Sequence, residues 1–98
     1  MLIRFERAGG FAGMRIEASL DTGSLPAEEA QKLQDLVKAA GFFDLPEKFP
    51  APKRGADYFQ YKLEVEKEGK KHTIEVSEPA VPPALRPLLE SLMKYARK

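Results

Sequence analysis

The sequence predicts an α+β fold ordered β-β-α-β-β-α, a four-stranded, mostly antiparallel sheet with two helices packed on one face. Three observations lead there. Four short runs alternate apolar with polar residues, the period of half-buried strands. Two other segments repeat apolar residues at helical spacing, as amphipathic helices do. Glycine-containing joints separate the strand runs in pairs, so each pair reads as a hairpin.

The first run is Met1 to Arg7, in which Ile3 and Phe5 alternate with Arg4 and Glu6. After Gly9-Gly10-Phe11-Ala12-Gly13, alternation resumes with Met14, Ile16, Ala18 and Leu20 on one face and Arg15, Glu17, Ser19 and Asp21 on the other. If Phe5 lies opposite Ile16, the loop is Ala8–Gly13 and both apolar faces agree. That loop is longer than a tight hairpin needs.

Asp21-Thr22-Gly23-Ser24 is turn chemistry, and a helix follows. Pro26 suits its first turn, where no N–H is required. Glu28 and Glu29 sit near the positive end of the helix dipole. Leu33, Leu36, Val37 and Ala40 form the apolar stripe. Gly41 is expected to end the helix in the left-handed conformation, with Phe42 and Phe43 closing one end of the core. From Asp44 to Ala56 the chain reads as a loop rich in Pro46, Pro50 and Pro52, and long ordered loops are often functional.

In the second hairpin, Phe59, Tyr61, Leu63 and Val65 alternate with Gln60, Lys62, Glu64 and Glu66. A two-residue turn at Glu68-Gly69 puts Val65 opposite His72, Leu63 opposite Ile74 and Tyr61 opposite Val76. Pro79–Pro83 reads as an extended linker. Leu85, Leu88, Leu89, Leu92 and Met93 mark the last helix, with Pro87 in its first turn.

A chain of 98 residues is one domain's worth, so residues 1–98 are expected to form a single domain. Hydrophobic residues make up 43% and charged residues 32%, a globular balance rather than a disordered or membrane one. The 16 Lys and Arg nearly match the 15 Asp and Glu, so the net charge of +1 gives no general attraction to nucleic acid or acidic membranes. Without cysteine there is no disulfide, thiolate metal site or cysteine nucleophile. Met1 to Ala8 carry Arg4, Glu6 and Arg7, and the unbroken apolar stretch that a signal peptide needs is not present, so the expected location is the cytoplasm.

Catalysis finds no constellation. His72 is the one histidine, and its place on the inward strand face points to rim or cross-strand packing. Asp44, Glu47 and Asp57 are loop carboxylates suited to turn hydrogen bonds. Ala8 to Gly13 approaches a dinucleotide fingerprint, with alanine in place of the first glycine, but a strand follows it, not the helix N-terminus that would hold a pyrophosphate. No enzyme activity, cofactor, metal or small-molecule substrate is expected. Lys48, Lys53 and Arg54 make a small basic patch without the interleaved aromatics that nucleic-acid binding needs. Phe11 stands out: a large aromatic at a loop tip either folds onto the core or is presented to a partner.

The opening Phe5-Glu6-Arg7-Ala8-Gly9-Gly10-Phe11-Ala12-Gly13 resembles the start of the emfourin family, protein inhibitors of protealysin. The similarity continues through Leu25-Pro26-Ala27-Glu28-Glu29, Gly41-Phe42-Phe43-Asp44-Leu45-Pro46, Asp57-Tyr58-Phe59-Gln60-Tyr61 and His72-Thr73-Ile74. The resemblance implies inhibition of thermolysin-like zinc metalloproteases, which cleave before bulky apolar residues. The expected protease-binding residues are Gly9, Gly10, Phe11, Ala12 and Gly13, with Phe11 as the anchor. Lys53, Arg54, Asp57 and Tyr58 would form a second contact if the fold brings their loop near. The unbound protein is expected to be a monomer. The alternative is a non-enzymatic interaction module with another target, working through loops or a sheet edge.

Overall fold

A computed structural model describes residues 1–9, 15–49 and 59–96. Four strands, β1 (Leu2–Gly9), β2 (Ile16–Asp21), β3 (Phe59–Lys67) and β4 (Lys70–Ser77), form one sheet in the order β2-β1-β3-β4. Every neighbouring pair is antiparallel. The helices are α1 (Ala27–Ala39) and α2 (Arg86–Ala96).

The β3–β4 hairpin has the register that its turn length dictates. Val65 faces His72, Leu63 faces Ile74 and Tyr61 faces Val76. Glu68 and Gly69 take φ of 51° and 80°, the paired positive angles of a type I′ turn, whose twist matches that of the flanking strands. The first hairpin differs from expectation. Phe5 faces Ala18, and Ile16 faces Arg7 instead of Phe5. This two-residue slide leaves every side chain on its face, because the strand period is two. It lengthens β1 to Gly9 and leaves 10–15 as the connection. A long connection does not constrain register as a two-residue turn does. Met14, expected on the apolar face, lies outside the described residues.

The helices cover the sheet face that carries Ile3, Phe5, Leu63, Val65, Ile74 and Val76, all at most 2% exposed. Leu33 and Val37 of α1, and Leu88, Leu89 and Leu92 of α2, complete one cluster with them. Leu36 is only partly buried. Pro26 precedes α1 as its N-cap, one step before the expected first turn, and its carbonyl accepts from Ala30 N–H at 2.9 Å. Pro87 is the second residue of α2, where its missing N–H is not needed. Tyr95 Oη donates to Glu29 Oε1 at 2.9 Å, tying the two helices together.

Gly41 does end α1 with φ 60°. Phe42 behind it is buried, but Phe43 is 36% exposed, so the expectation that both rings close the core holds for Phe42 alone. The short 3-10 turn Phe42–Asp44 points the two rings differently, and Phe43 packs edge-on against Phe42 at 5.6 Å. His72 stands at this corner as a packing residue: its Nε2 lies 2.6 Å from Leu45 O, and its ring meets Phe42 edge-on at 5.4 Å. The Pro79–Pro83 linker is not extended throughout. Glu78–Ala80 form a 3-10 turn, Leu85 N–H reaches Pro82 O, and Val81 is buried.

The opposite sheet face is polar. Arg4 approaches Glu64 at 3.6 Å, Thr73 Oγ1 donates to Glu64 Oε1 at 2.9 Å, and Arg15 bridges Glu6 at 2.8 Å and Glu17 at 3.2 Å. Pairs this exposed contribute about 0–1 kcal/mol each. They solubilise the face more than they stabilise the fold.

Candidate functional site

Of the first candidate stretch, Gly9 is described; Gly10, Phe11, Ala12 and Gly13 lie outside the described residues. So do Lys53, Arg54, Asp57 and Tyr58 of the second. The described frame nevertheless defines where both segments join the sheet. Gly9 is the last residue of β1 and pairs with Phe59, the first residue of β3. The 10–15 connection and segment 50–58 therefore meet the sheet at the same end, on adjacent strands. Gly9 has φ 89°, a conformation that side-chain-bearing residues rarely adopt, so glycine here has a backbone reason.

This end has its own side-chain architecture. Arg7 shares the inward row with Ile3 and Phe5, and its guanidinium lies 4.0 Å from the Phe59 ring centroid. A cation over a ring at that distance is attracted by the ring's quadrupole, by about 0.5–1 kcal/mol at an exposed site. Phe5 and Tyr61 follow one layer deeper, with ring centroids 6.1 Å apart. On β4, Ser77 Oγ donates to Gln60 Oε1 at 2.8 Å, and Glu78 just beyond pairs with Arg86 of α2 at 3.3 Å.

Arg7, Tyr61, Glu78, Arg86, Leu89 and Met93 line a cavity of about 350 Å³ beneath this end, with Glu90 and Lys94 on its rim. Burial pushes the Tyr61 phenol above its ordinary pKa; the nearby Glu78 carboxylate adds to the shift and Arg7 opposes it. Glu78 Oε2 is buried and, among the described residues, has no hydrogen-bond partner. Sequence alternation could have flagged Arg7, since it places a charge on an otherwise apolar row. Nothing in the sequence brings Glu78 and Arg86 to Tyr61, because that depends on how α2 returns across the sheet.

A roomier groove, about 590 Å³, lies at the opposite end, between the C-terminal part of α1, Phe43 and the β3–β4 turn. Its lining mixes Lys38, Lys67 and Lys70 with Asp35, Asp44 and Glu68, and no nucleophile stands beside a base. Among the described residues no group of three or more His, Cys, Asp or Glu could hold a metal ion. No described helix is long and apolar enough to cross a membrane.

The family model described as Emfourin matches residues 5–93, nearly the full chain. The match includes both candidate segments, all of β2, β3 and β4, and β1 from Phe5 onward. No curated protein and no solved structure matches the chain.

Proposed function

The chain belongs to the Emfourin family, and on that premise we propose that it inhibits thermolysin-like zinc metalloproteases of the protealysin type by obstructing the substrate cleft. It is a non-catalytic protein of the protealysin-inhibitor kind. The observation that carries the loop mechanism is the pairing of Gly9 with Phe59, which roots both candidate segments on neighbouring strands at one end of the sheet. In this reading Gly9–Gly13 enters the cleft with Phe11 as its apolar anchor. Lys53, Arg54, Asp57 and Tyr58 flank it as a second contact. Proteases that cleave before bulky apolar residues have a pocket suited to Phe11.

Residues 8–13 contain no Cys, His or carboxylate, so this loop has no side chain suited to binding the protease's zinc. Obstruction is the mechanism left to it. A standard interface buries about 800 Å² per partner, more than one short loop supplies, which is why a second segment is required.

Titrating a protealysin-like protease and thermolysin with the purified protein tests the reading. The expected result is loss of activity at near-stoichiometric ratio with the inhibitor left uncleaved. Phe11→Ala is expected to raise the inhibition constant about 30-fold, the equivalent of a ~2 kcal/mol hot spot. An unchanged constant with the fold intact would remove the anchor role and leave the inhibitor role standing. No inhibition of either protease by the native protein would overturn the proposed activity.

A further inference from the structure

Among the described residues the two edges of the sheet are treated differently. At the β4 edge, Phe49 N–H reaches Glu75 O at 3.3 Å and Glu75 N–H reaches Glu47 O at 2.8 Å, so the segment around Lys48 covers part of it. At the other edge β2 is terminal in the sheet order. Thr22 N–H donates to Met1 O at 2.9 Å, which marks Met1 and Thr22 as a hydrogen-bonded pair. Antiparallel alternation extends that pattern to Ile3–Leu20, Phe5–Ala18 and Arg7–Ile16. The backbone groups of Ile16, Ala18 and Leu20 thus point toward β1, and those of Glu17, Ser19 and Asp21 point away from the sheet.

The order of residues along this edge is its own complement. Pair it antiparallel with a copy of itself about Ala18, and Arg15 meets Asp21, Ile16 meets Leu20 and Glu17 meets Ser19, each twice. Ala18 then meets Ala18 in a non-hydrogen-bonded pair, the closer of the two spacings, where a small side chain fits. Moving the axis one residue either way opposes Glu17 to Glu17 or to Asp21, and like charges directly opposite destabilise.

We propose, in place of the monomer expected from the sequence, that β2 is a self-association edge at which two copies of this chain pair about Ala18 into a continuous eight-stranded sheet. The occupant is a second copy because charge and apolar pattern match along most of β2 in this register, where residues 16 to 20 pair with one another; an axis at Ile16, with Arg15 opposite Glu17, would engage only the start of the strand. The antiparallel axis sends the two Gly9 ends to opposite ends of the shared sheet. This goes beyond inhibition and does not depend on it.

Sedimentation velocity over a concentration series, with the full chain, tests it through three variants. Ser19 is exposed, and the side chain placed there faces Glu17 of the other copy. Ser19→Glu is expected to raise the dimer dissociation constant about threefold or more, and Ser19→Lys to lower it, since the pair occurs twice. Within one chain Ser19 lies opposite Arg4, so any effect on folding runs in the reverse order and is separable by denaturant unfolding. Ser19→Pro removes an outward N–H without touching the β1 ladder and is expected to abolish the dimer. A chain that stays monomeric at about 1 mM, or a dimer indifferent to all three variants, overturns the proposal.

Discussion

Gly9 and Gly41 lie at opposite ends of the molecule and both have positive φ, 89° and 60°. Gly9→Ala and Gly41→Ala therefore make a matched pair. At Gly41 an added Cβ would meet nothing within 4 Å, so its cost is backbone strain alone. For an L-residue in this region that is about 1–2 kcal/mol. Small domains begin from about 5 kcal/mol at the low end, so either variant keeps about 3 kcal/mol and stays about 99% folded. Unfolding cannot then account for a large change in inhibition. A variant whose backbone shifts at position 9 to shed the strain must take it on again in a complex that needs the native conformation there. Affinity then falls by the same about 1–2 kcal/mol, roughly 5- to 30-fold. Urea unfolding measures the first quantity and protease titration the second. Gly9→Ala is expected to weaken inhibition 5- to 30-fold by this estimate and Gly41→Ala less than about twofold. Equal effects from the two variants would refute placing the protease contact at the Gly9 end.

Three further outcomes follow from the packing and the turns. Phe42→Ala removes a ring that is 1% exposed and is expected to cost about 3–5 kcal/mol in urea unfolding, enough to threaten the fold. Glu68→Asn, at φ 51° in the β3–β4 turn, is expected to add about 0.5 kcal/mol, because Asn-Gly suits a type I′ turn better than Glu-Gly. Tyr61 has its pKa raised by burial first and Glu78 second, so its folded form holds the proton more tightly than the unfolded form. Its contribution is complete below about pH 10, the ordinary tyrosine value, and is lost as pH climbs from there through the raised one. Thermal melts of Tyr61→Phe above that pH are expected to show a shallower decline than those of the native chain.

The Emfourin signature was legible because it is local. The glycine-phenylalanine stretch, the Gly41-Phe42-Phe43 helix end and the His72-Thr73-Ile74 strand are contiguous, and contiguous residues need no fold to be read. The same locality explains the difference between the hairpins. A two-residue turn leaves one register, and β3–β4 adopts it. A long connection leaves several registers that keep the same faces, and packing selected the one with Phe5 opposite Ala18. Phe42 and Phe43 show the limit at one residue's scale. Both are aromatic after a helix stop, but the 3-10 turn that follows Gly41 can bury one ring only by turning the other outward.

By itself the sequence determined the element order, the inward and outward faces, the end of α1 at Gly41 and the register of β3–β4. All of these follow from backbone geometry over a few neighbouring residues. The tertiary structure decided that β1 lies between β2 and β3, that Gly9 meets Phe59, and that Glu78 and Arg86 come to Tyr61. Strand order and helix return are set by which apolar faces cover one another most completely, and that is a property of the whole chain that no local pattern carries.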